Sequence, residues 1–214
     1  MEKTVQFLII IHACFGGIAL ISGLIPIISK KGNSVHKKSG LIFFYSMVLC
    51  GISAMTIAVL PNHESPFLFA VGIFSLYFVL SGKRALNLKN KNPNLTLDRI
   101  ISITMIIAGF MMILLPVIFT KSINIILAVF AIVGIVFSVR DLILFNNPQQ
   151  LKKGWLKLHL GKMIGGYISA TTAFVVVNEA FPEFYGWFIP GIVGGFVITF
   201  WIKKMNKSTS VGNV

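Results

Sequence analysis

Seven long apolar segments follow one another along this chain, and they constrain its fold more than any other feature. The segments are residues 5–29, 40–60, 67–82, 100–120, 123–139, 156–181 and 185–202. About 20 apolar residues in a helix are enough to cross the hydrocarbon layer of a bilayer. The sequence therefore predicts an all-α, polytopic transmembrane bundle of seven spans, forming a single domain over residues 1–207, with a flexible tail at 208–214.

The composition agrees with a membrane protein and excludes several classes of soluble protein. Charged residues make up 12% of the chain and apolar residues 56%, whereas a soluble domain has about 25% charged residues. The connections between spans are too short and too polar to bury a core of their own. The sequence contains no P-loop, dinucleotide-binding fingerprint, nucleophile elbow or zinc-protease motif. Catalytic machinery of the common soluble kinds is therefore not expected.

The basic residues predict how the chain is oriented. Of the 19 Lys and Arg residues, all except Lys3 and Lys121 lie at one set of span ends. Four of the six acidic residues, Glu2, Glu64, Glu179 and Glu183, lie at the other set. Positive charge is enriched on the cytoplasmic side of membrane proteins. We therefore expect this multi-pass protein to have its amino terminus outside and its carboxyl terminus inside.

Histidines are the most informative candidates for a functional site. An ionisable or ligating side chain within a span is costly and is a functional candidate by default. His12 is expected within the first span, near a row of small residues that includes Gly16 and Gly23. His36 precedes the second span and His159 begins the sixth, so both are expected at the same inner depth, where they could meet. His63 is expected in an outer loop, exposed to water.

Several motifs resemble a known family along most of the chain. The segments that carry the resemblance are His12 with Gly16-Gly17 and Gly23, Lys31-Gly32, His36-Lys-Lys-Ser-Gly40, Tyr77 with Gly82-Lys83-Arg84, Asp141, His159 to Met163, Tyr167, Thr172-Ala-Phe174 and Asn178. They are similar to a family of bacterial multi-pass membrane proteins, histidine-containing and of a seven-span type, known only as a domain of unknown function. The resemblance implies the bacterial cytoplasmic (inner) membrane as the location, and it indicates which residues matter without implying a particular reaction. Many relatives have Arg where this chain has Lys37, which argues against bidentate binding of phosphate or carboxylate at that position.

Three functional hypotheses follow, from different classes. In the first, the chain is a non-catalytic membrane subunit that binds or transports a small ligand or assists another protein, with His12, Tyr167 and Asn178 lining a polar cavity. In this hypothesis Arg84, Arg140, Asp98 and Asp141 form ion pairs near the inner face.

The second hypothesis is a redox protein that holds haem b between histidines on facing helices. His36 with His159 would bind an inner haem, and His12 with Met112, His63 or another outer residue would bind an outer one. A quinone or another redox carrier would then be the partner.

The third hypothesis is a metal-dependent intramembrane hydrolase. His36, His159 and Asp141 would supply two imidazoles and a carboxylate, which suffice as a first shell for Zn²⁺ with one open position for water. For all three hypotheses the expected partner is a bilayer with anionic headgroups on the inner face, and nucleic acid is not expected.

Overall fold

The structure is a computed structural model that describes residues 2–182 and 184–211. Its α-helices are α1 (Glu2–Ile28), α2 (Ser34–Ile57), α3 (Pro66–Arg84), α4 (Thr96–Thr120), α5 (Ile125–Phe145), α6 (Pro148–Val177) and α7 (Tyr185–Val211). A short 3-10 helix, Ala85–Lys89, continues α3. Each of the seven helices is long and apolar enough to cross a membrane, which confirms the all-helical class and the presence of seven helices of spanning length. Glu183, placed in an outer connection from the sequence, lies outside the described residues.

The helices are longer than the apolar segments that predict them, because helical backbone continues past the apolar residues into polar sequence. Side-chain caps mark the residues at which these longer helices begin. Asn33 Oδ1 accepts a hydrogen bond of 2.8 Å from the His36 amide, which begins α2 six residues earlier than expected. Asn147 caps α6 in the same way, with Pro148 at its first position. His36 and His159 therefore lie inside helices, and the backbone of residues 208–211 is helical as part of α7.

Two groups of helices make up the bundle and share α3 and α6. On one side, α1 and α2 pack closely together and against α3 and α6; on the other, α4 and α5 pack together and against α3. The first group has a buried core of Ala19, Phe43, Met47 and Val79. The second has a core of aromatic, Met and aliphatic residues that includes Phe74, Met105 and Phe130. α7 packs mainly on α6.

The connections 29–33, 85–95 and 146–147, whose adjoining helix ends carry most of the Lys and Arg residues, lie at one end of the bundle together with the last turns of α7. We call this the cation-rich end, and we call the other the opposite end. Short connections make successive helices antiparallel. Consequently α2, α4 and α6 start at the cation-rich end, and α3 and α5 finish there.

Glycines on α6 show where α6 meets α3. A Cβ atom added to Gly165 would lie 2.5 Å from Phe78 Cδ1, and one added to Gly166 would lie 2.6 Å from Val79 Cγ2. A Cβ atom added to Gly161 would have no described atom within 4 Å apart from its own helix and chain neighbours. Gly161 and Gly165 are four residues apart, a spacing typical of helix packing, but of these two only Gly165 is at a tight contact in the structure.

We predict that Gly165→Ala destabilises the protein and that Gly161→Ala does not. Both changes give α6 the same gain in helix propensity, so the difference between them measures the displacement of Phe78. Overpacking of a tight contact costs about 1–3 kcal/mol. Thermal unfolding of the two variants in one detergent would check this. Equal melting temperatures would contradict the contact between α3 and α6.

Candidate functional site

A lysine, an aspartate and a tyrosine from three helices meet inside the bundle. Lys162 of α6, Asp141 of α5 and Tyr77 of α3 are 2%, 3% and 2% exposed. Lys162 Nζ and Tyr77 Oη each donate to Asp141 Oδ2, at 2.6 Å in both cases, and Lys162 Nζ also donates to Tyr77 Oη. Buried charges of this kind are expensive unless they are paired and hydrogen-bonded. We call these three residues the buried triad.

Aromatic rings surround the lysine of the buried triad. Lys162 Nζ lies 4.0 Å from the ring centroid of Tyr77, 5.4 Å from that of Phe78 and 5.3 Å from that of Phe137. An ammonium over the face of an aromatic ring is attracted by the ring's quadrupole. The rings thus stabilise a cation while keeping bulk water away from it, which leaves Asp141 as its charged partner.

Lys162 differs from the sequence expectation. The sequence groups it with the basic residues that mark the inner face, and the structure instead buries it in α6. The signal that could have identified it is its position six residues inside the apolar segment that starts at Leu156. Asp141, the aspartate of α5, was expected among inner-face ion pairs or metal ligands, and it pairs with Lys162.

A second ion pair lies at the cation-rich end. Arg84 Nε and Nη2 donate to the two carboxylate oxygens of Asp98, at 2.9 Å and 2.6 Å. The Arg84 side chain is 23% exposed and that of Asp98 4%. Arg84 also lines a polar concavity of about 620 Å³ formed mainly by asparagines of the 85–95 connection. Of the four charges expected to form inner-face pairs, Arg84 and Asp98 do so with each other, and Arg140 is exposed.

Two buried hydroxyl groups lie one turn deeper in the bundle than the carboxylates of this ion pair and of the buried triad. On α4, Ser102 is one turn from Asp98, and on α5, Ser138 is one turn from Asp141 and beside the phenol of Tyr77. The contact between Met105 of α4 and Gly134 of α5 places the two serines at the same depth in the antiparallel pair. Both Oγ atoms are buried; that of Ser102 has no hydrogen-bond partner among the described residues, and that of Ser138 has the Tyr77 hydroxyl as its polar neighbour.

Polar groups continue from the buried triad toward the opposite end. Ser169 lies two turns beyond Lys162 on α6, and its Oγ is 2.5 Å from Ser75 Oγ of α3. Ser169 and Thr172 also border a cavity of about 190 Å³, which is otherwise lined by apolar side chains such as Phe67, Phe130 and Trp187. Between Lys162 and Ser169, about 10 Å along the helix, α6 and α3 meet tightly at Gly165 and Gly166.

The histidines occupy two separate places. His12 lies between α1 and α2, where its Nδ1 is 3.0 Å from Cys50 O, 3.3 Å from Ser53 Oγ and 3.4 Å from Cys50 Sγ. His36 Nδ1 is 3.1 Å from Pro26 O, and His159 Nδ1 is 2.7 Å from Gly82 O. His36 and His159 also interact electrostatically with each other.

Other residues expected near the histidines lie elsewhere. Met112 is buried in the core shared by α3, α4 and α5, away from His12, and His63 is exposed in the 58–65 connection. The described part of the chain holds no group of three or more His, Cys, Asp or Glu side chains placed to bind a metal ion. Asp141 Oδ2, expected as a zinc ligand beside His36 and His159, is occupied by Lys162 and Tyr77.

Lys31 links α1 to α7 next to His36. Its Nζ donates to Pro26 O and Ile27 O at 2.8 Å and 2.6 Å, and it lies 3.6 Å from the Trp201 ring centroid. These contacts satisfy carbonyls that the last turn of α1 leaves without helical partners. Burial, with the nearby charge of Lys204, lowers the pKa of Lys31.

We predict that Asp141→Leu and Lys162→Met each destabilise the protein strongly and that the double variant is close to wild type. Removing one member of a buried ion pair leaves an uncompensated charge, at a cost of about 3–5 kcal/mol, whereas removing both leaves none. A double-mutant cycle by reversible unfolding in mixed micelles would measure this. Arg140→Met is the matched control, because Arg140 is an exposed neighbour of Asp141 on α5. A double variant as unstable as the single ones would contradict the pairing.

Comparison with family models, with curated proteins and with solved structures found no match for this chain.

Proposed function

We propose that the chain is a non-catalytic, multi-pass protein of the bacterial inner membrane that transports a small ligand, and that the buried triad is its proton-binding centre. The observation that carries this proposal is the Lys162–Asp141 pair, 2.6 Å apart and buried inside a bundle of membrane-spanning helices. Ionisable groups in that position commonly mark proton relays and ligand pathways. The resemblance to a seven-span family of unknown function is compatible with this class.

Protonation of Asp141 is the step that would change the site. A neutral carboxyl group no longer balances the Lys162 ammonium, so Lys162 must lose its proton, find another anion or move. Tyr77 strengthens this coupling because its hydroxyl donates to the same oxygen, Asp141 Oδ2. A proton or an anionic ligand can thus exchange with the internal pair, and this exchange is how we expect ligand movement to be coupled to protons.

A route for protons to the buried triad is supported by the polar groups of α4 and α5. The concavity beside Arg84 and Asp98 opens at the cation-rich end. Ser102 and Ser138 lie side by side one turn deeper, Ser102 about 6 Å from Asp98 and Ser138 about 4.5 Å from Asp141 along their own helices. Buried hydroxyls are normally hydrogen-bonded to protein or water. Water exchanging between these two serines would connect Asp98 with Asp141.

The opposite side of the buried triad has the features of a closed gate. The tight contacts of Gly165 with Phe78 and of Gly166 with Val79 separate Lys162 from Ser169. Beyond them the cavity bordered by Ser169 and Thr172 offers mostly apolar walls. We infer that the structure represents a state in which the buried triad exchanges protons with the cation-rich end, and that a shift of α6 against α3 would open the other side.

We predict voltage-driven proton uptake into vesicles that contain the protein. The vesicles contain a pH-sensitive dye, and a potassium diffusion potential is applied across the bilayer. Proton uptake into vesicles with the wild-type protein should exceed uptake into protein-free vesicles. Asp141→Asn should reduce uptake to the protein-free level because it removes the proton-binding carboxylate. Ser138→Ala should slow uptake without abolishing it.

Two further variants separate a loss of proton uptake from a loss of folding. The Asp141→Leu/Lys162→Met double variant should be stable but inactive, and Arg140→Met should be active. Wild-type uptake equal to that of empty vesicles, or unchanged uptake in Asp141→Asn, would refute the proposed function.

We further propose that the cation-rich end faces the cytoplasm. Of the basic residues, Lys3 and Lys121 are the ones placed at the opposite end, and short basic connections remain on the cytoplasmic side. Green fluorescent protein fused after Lys207 should fluoresce. Alkaline phosphatase inserted at Glu64 should be active, because it folds only outside. Active phosphatase at the carboxyl end would reverse the orientation.

A further inference from the structure

His36 and His159 are held in the same way. Each Nδ1 lies at hydrogen-bonding distance from a backbone carbonyl, Pro26 O for His36 and Gly82 O for His159. A carbonyl can only accept, so Nδ1 must carry the proton, and Nε2 of a neutral ring carries a lone pair. No described residue hydrogen-bonds to either Nε2. Metal-ligating histidines usually donate their other ring N–H to an oxygen in this manner.

The two carbonyls are available because both helices end nearby. Pro26 lies in the last turn of α1, and Gly82 lies in the last turn of α3 before the 3-10 helix. Carbonyls in the last turn of an α-helix have no partner within that helix. Each imidazole is therefore fixed by a backbone group, and its orientation does not depend on another flexible side chain.

The two histidines lie at the same depth on helices that run in the same direction. The rings of Phe43 on α2 and Tyr167 on α6 are in edge contact, with centroids 6.1 Å apart. His36 precedes Phe43 by seven residues and His159 precedes Tyr167 by eight, which is about 11–12 Å along each helix. The two imidazoles interact electrostatically. They thus lie at the same level at the cation-rich end.

α2 and α6 stand across from each other in a group of four helices. α1 and α3 each pack against both of them, whereas the backbones of α2 and α6 make few close approaches. Helix bundles commonly hold cofactors between inward side chains of such facing helices. Two ligands on opposite helices can approach one metal from its two sides.

The surrounding charges distinguish between a bare metal ion and a metal inside an anionic cofactor. Lys31 and Lys37 act on His36, and Lys83 acts on His159. These cations repel a free divalent ion, which also needs more than two protein ligands. A porphyrin supplies four equatorial nitrogens itself, so two axial imidazoles complete the iron, and its two propionates would pair with lysines at this end.

We propose that His36 and His159 are the axial ligands of a haem b, bound through their Nε2 atoms between α2 and α6 with the propionates toward the cation-rich end. This site is separate from the buried triad, and the two proposals can fail independently. The haem would give the chain a one-electron redox centre in addition to the transport proposed above.

Optical spectroscopy of protein purified from haem-supplied cells tests this. Wild type should show a Soret band that sharpens and gains a resolved α-band when dithionite reduces the iron, with one haem per chain. Electron paramagnetic resonance of the oxidised protein should give the low-spin signal of two axial imidazoles. His36→Ala and His159→Ala should each remove the low-spin signal, whereas the matched controls His12→Ala and His63→Ala should keep it.

A second arm covers variants that fold poorly. Haemin is titrated into wild type, His36→Met and His159→Met, and the methionine variants should bind haem with a shifted spectrum because one axial ligand has changed. Wild-type protein that shows no haem absorption after unbound haemin has been removed would overturn the proposal. A spectrum that is unaffected by substitution of either histidine would do the same.

Discussion

The pairing of Lys162 with Asp141 is the interaction on which the arrangement of α3, α5 and α6 depends. An isolated Lys or Asp at the centre of a membrane-spanning helix costs about 2.5–3.5 kcal/mol on insertion scales. Hydrogen bonds between such helices contribute about 0.6 kcal/mol on average. The pair therefore stabilises the bundle mainly because separating it is expensive. Its effect is to select one register of the three helices, since a slip of one residue moves a side chain by 1.5 Å and rotates it by about 100°.

The packing around the buried triad makes this register strict. Phe78 contacts Lys162 on one side and the backbone of Gly165 on the other. A larger residue at either place would move the ring, and moving the ring changes the environment of the ammonium. Close packing and charge pairing thus reinforce each other on α6. This explains why the tight contact is found at Gly165, next to the triad, and not at Gly161, one turn nearer the cation-rich end.

Much of the fold could be predicted from the sequence because helix length and the distribution of Lys and Arg are local properties. Seven apolar segments predict seven helices, and the structure has them. The helix starts were missed where an asparagine cap lies in polar sequence, as at Asn33 and Asn147. Lys162 was misplaced for a different reason. A lysine near the end of a span is normally used to predict the orientation of the chain, and nothing within its own segment shows that it will contact Asp141, 21 residues away. That meeting depends on which helices pack together, which no single segment encodes.

α6 carries both Lys162 and His159, so the two proposed sites are mechanically connected. The residues are three positions apart, which places them about 4.5 Å apart along the axis and about 60° apart around it. His159 is tied to the Gly82 carbonyl of α3, and Lys162 is tied to Asp141 of α5. A rotation of α6 large enough to separate Lys162 from Asp141 must also strain or break the bond that orients His159. A ligand that holds His159 in place would for the same reason favour the paired state of Lys162, and by linkage the paired state would favour that ligand.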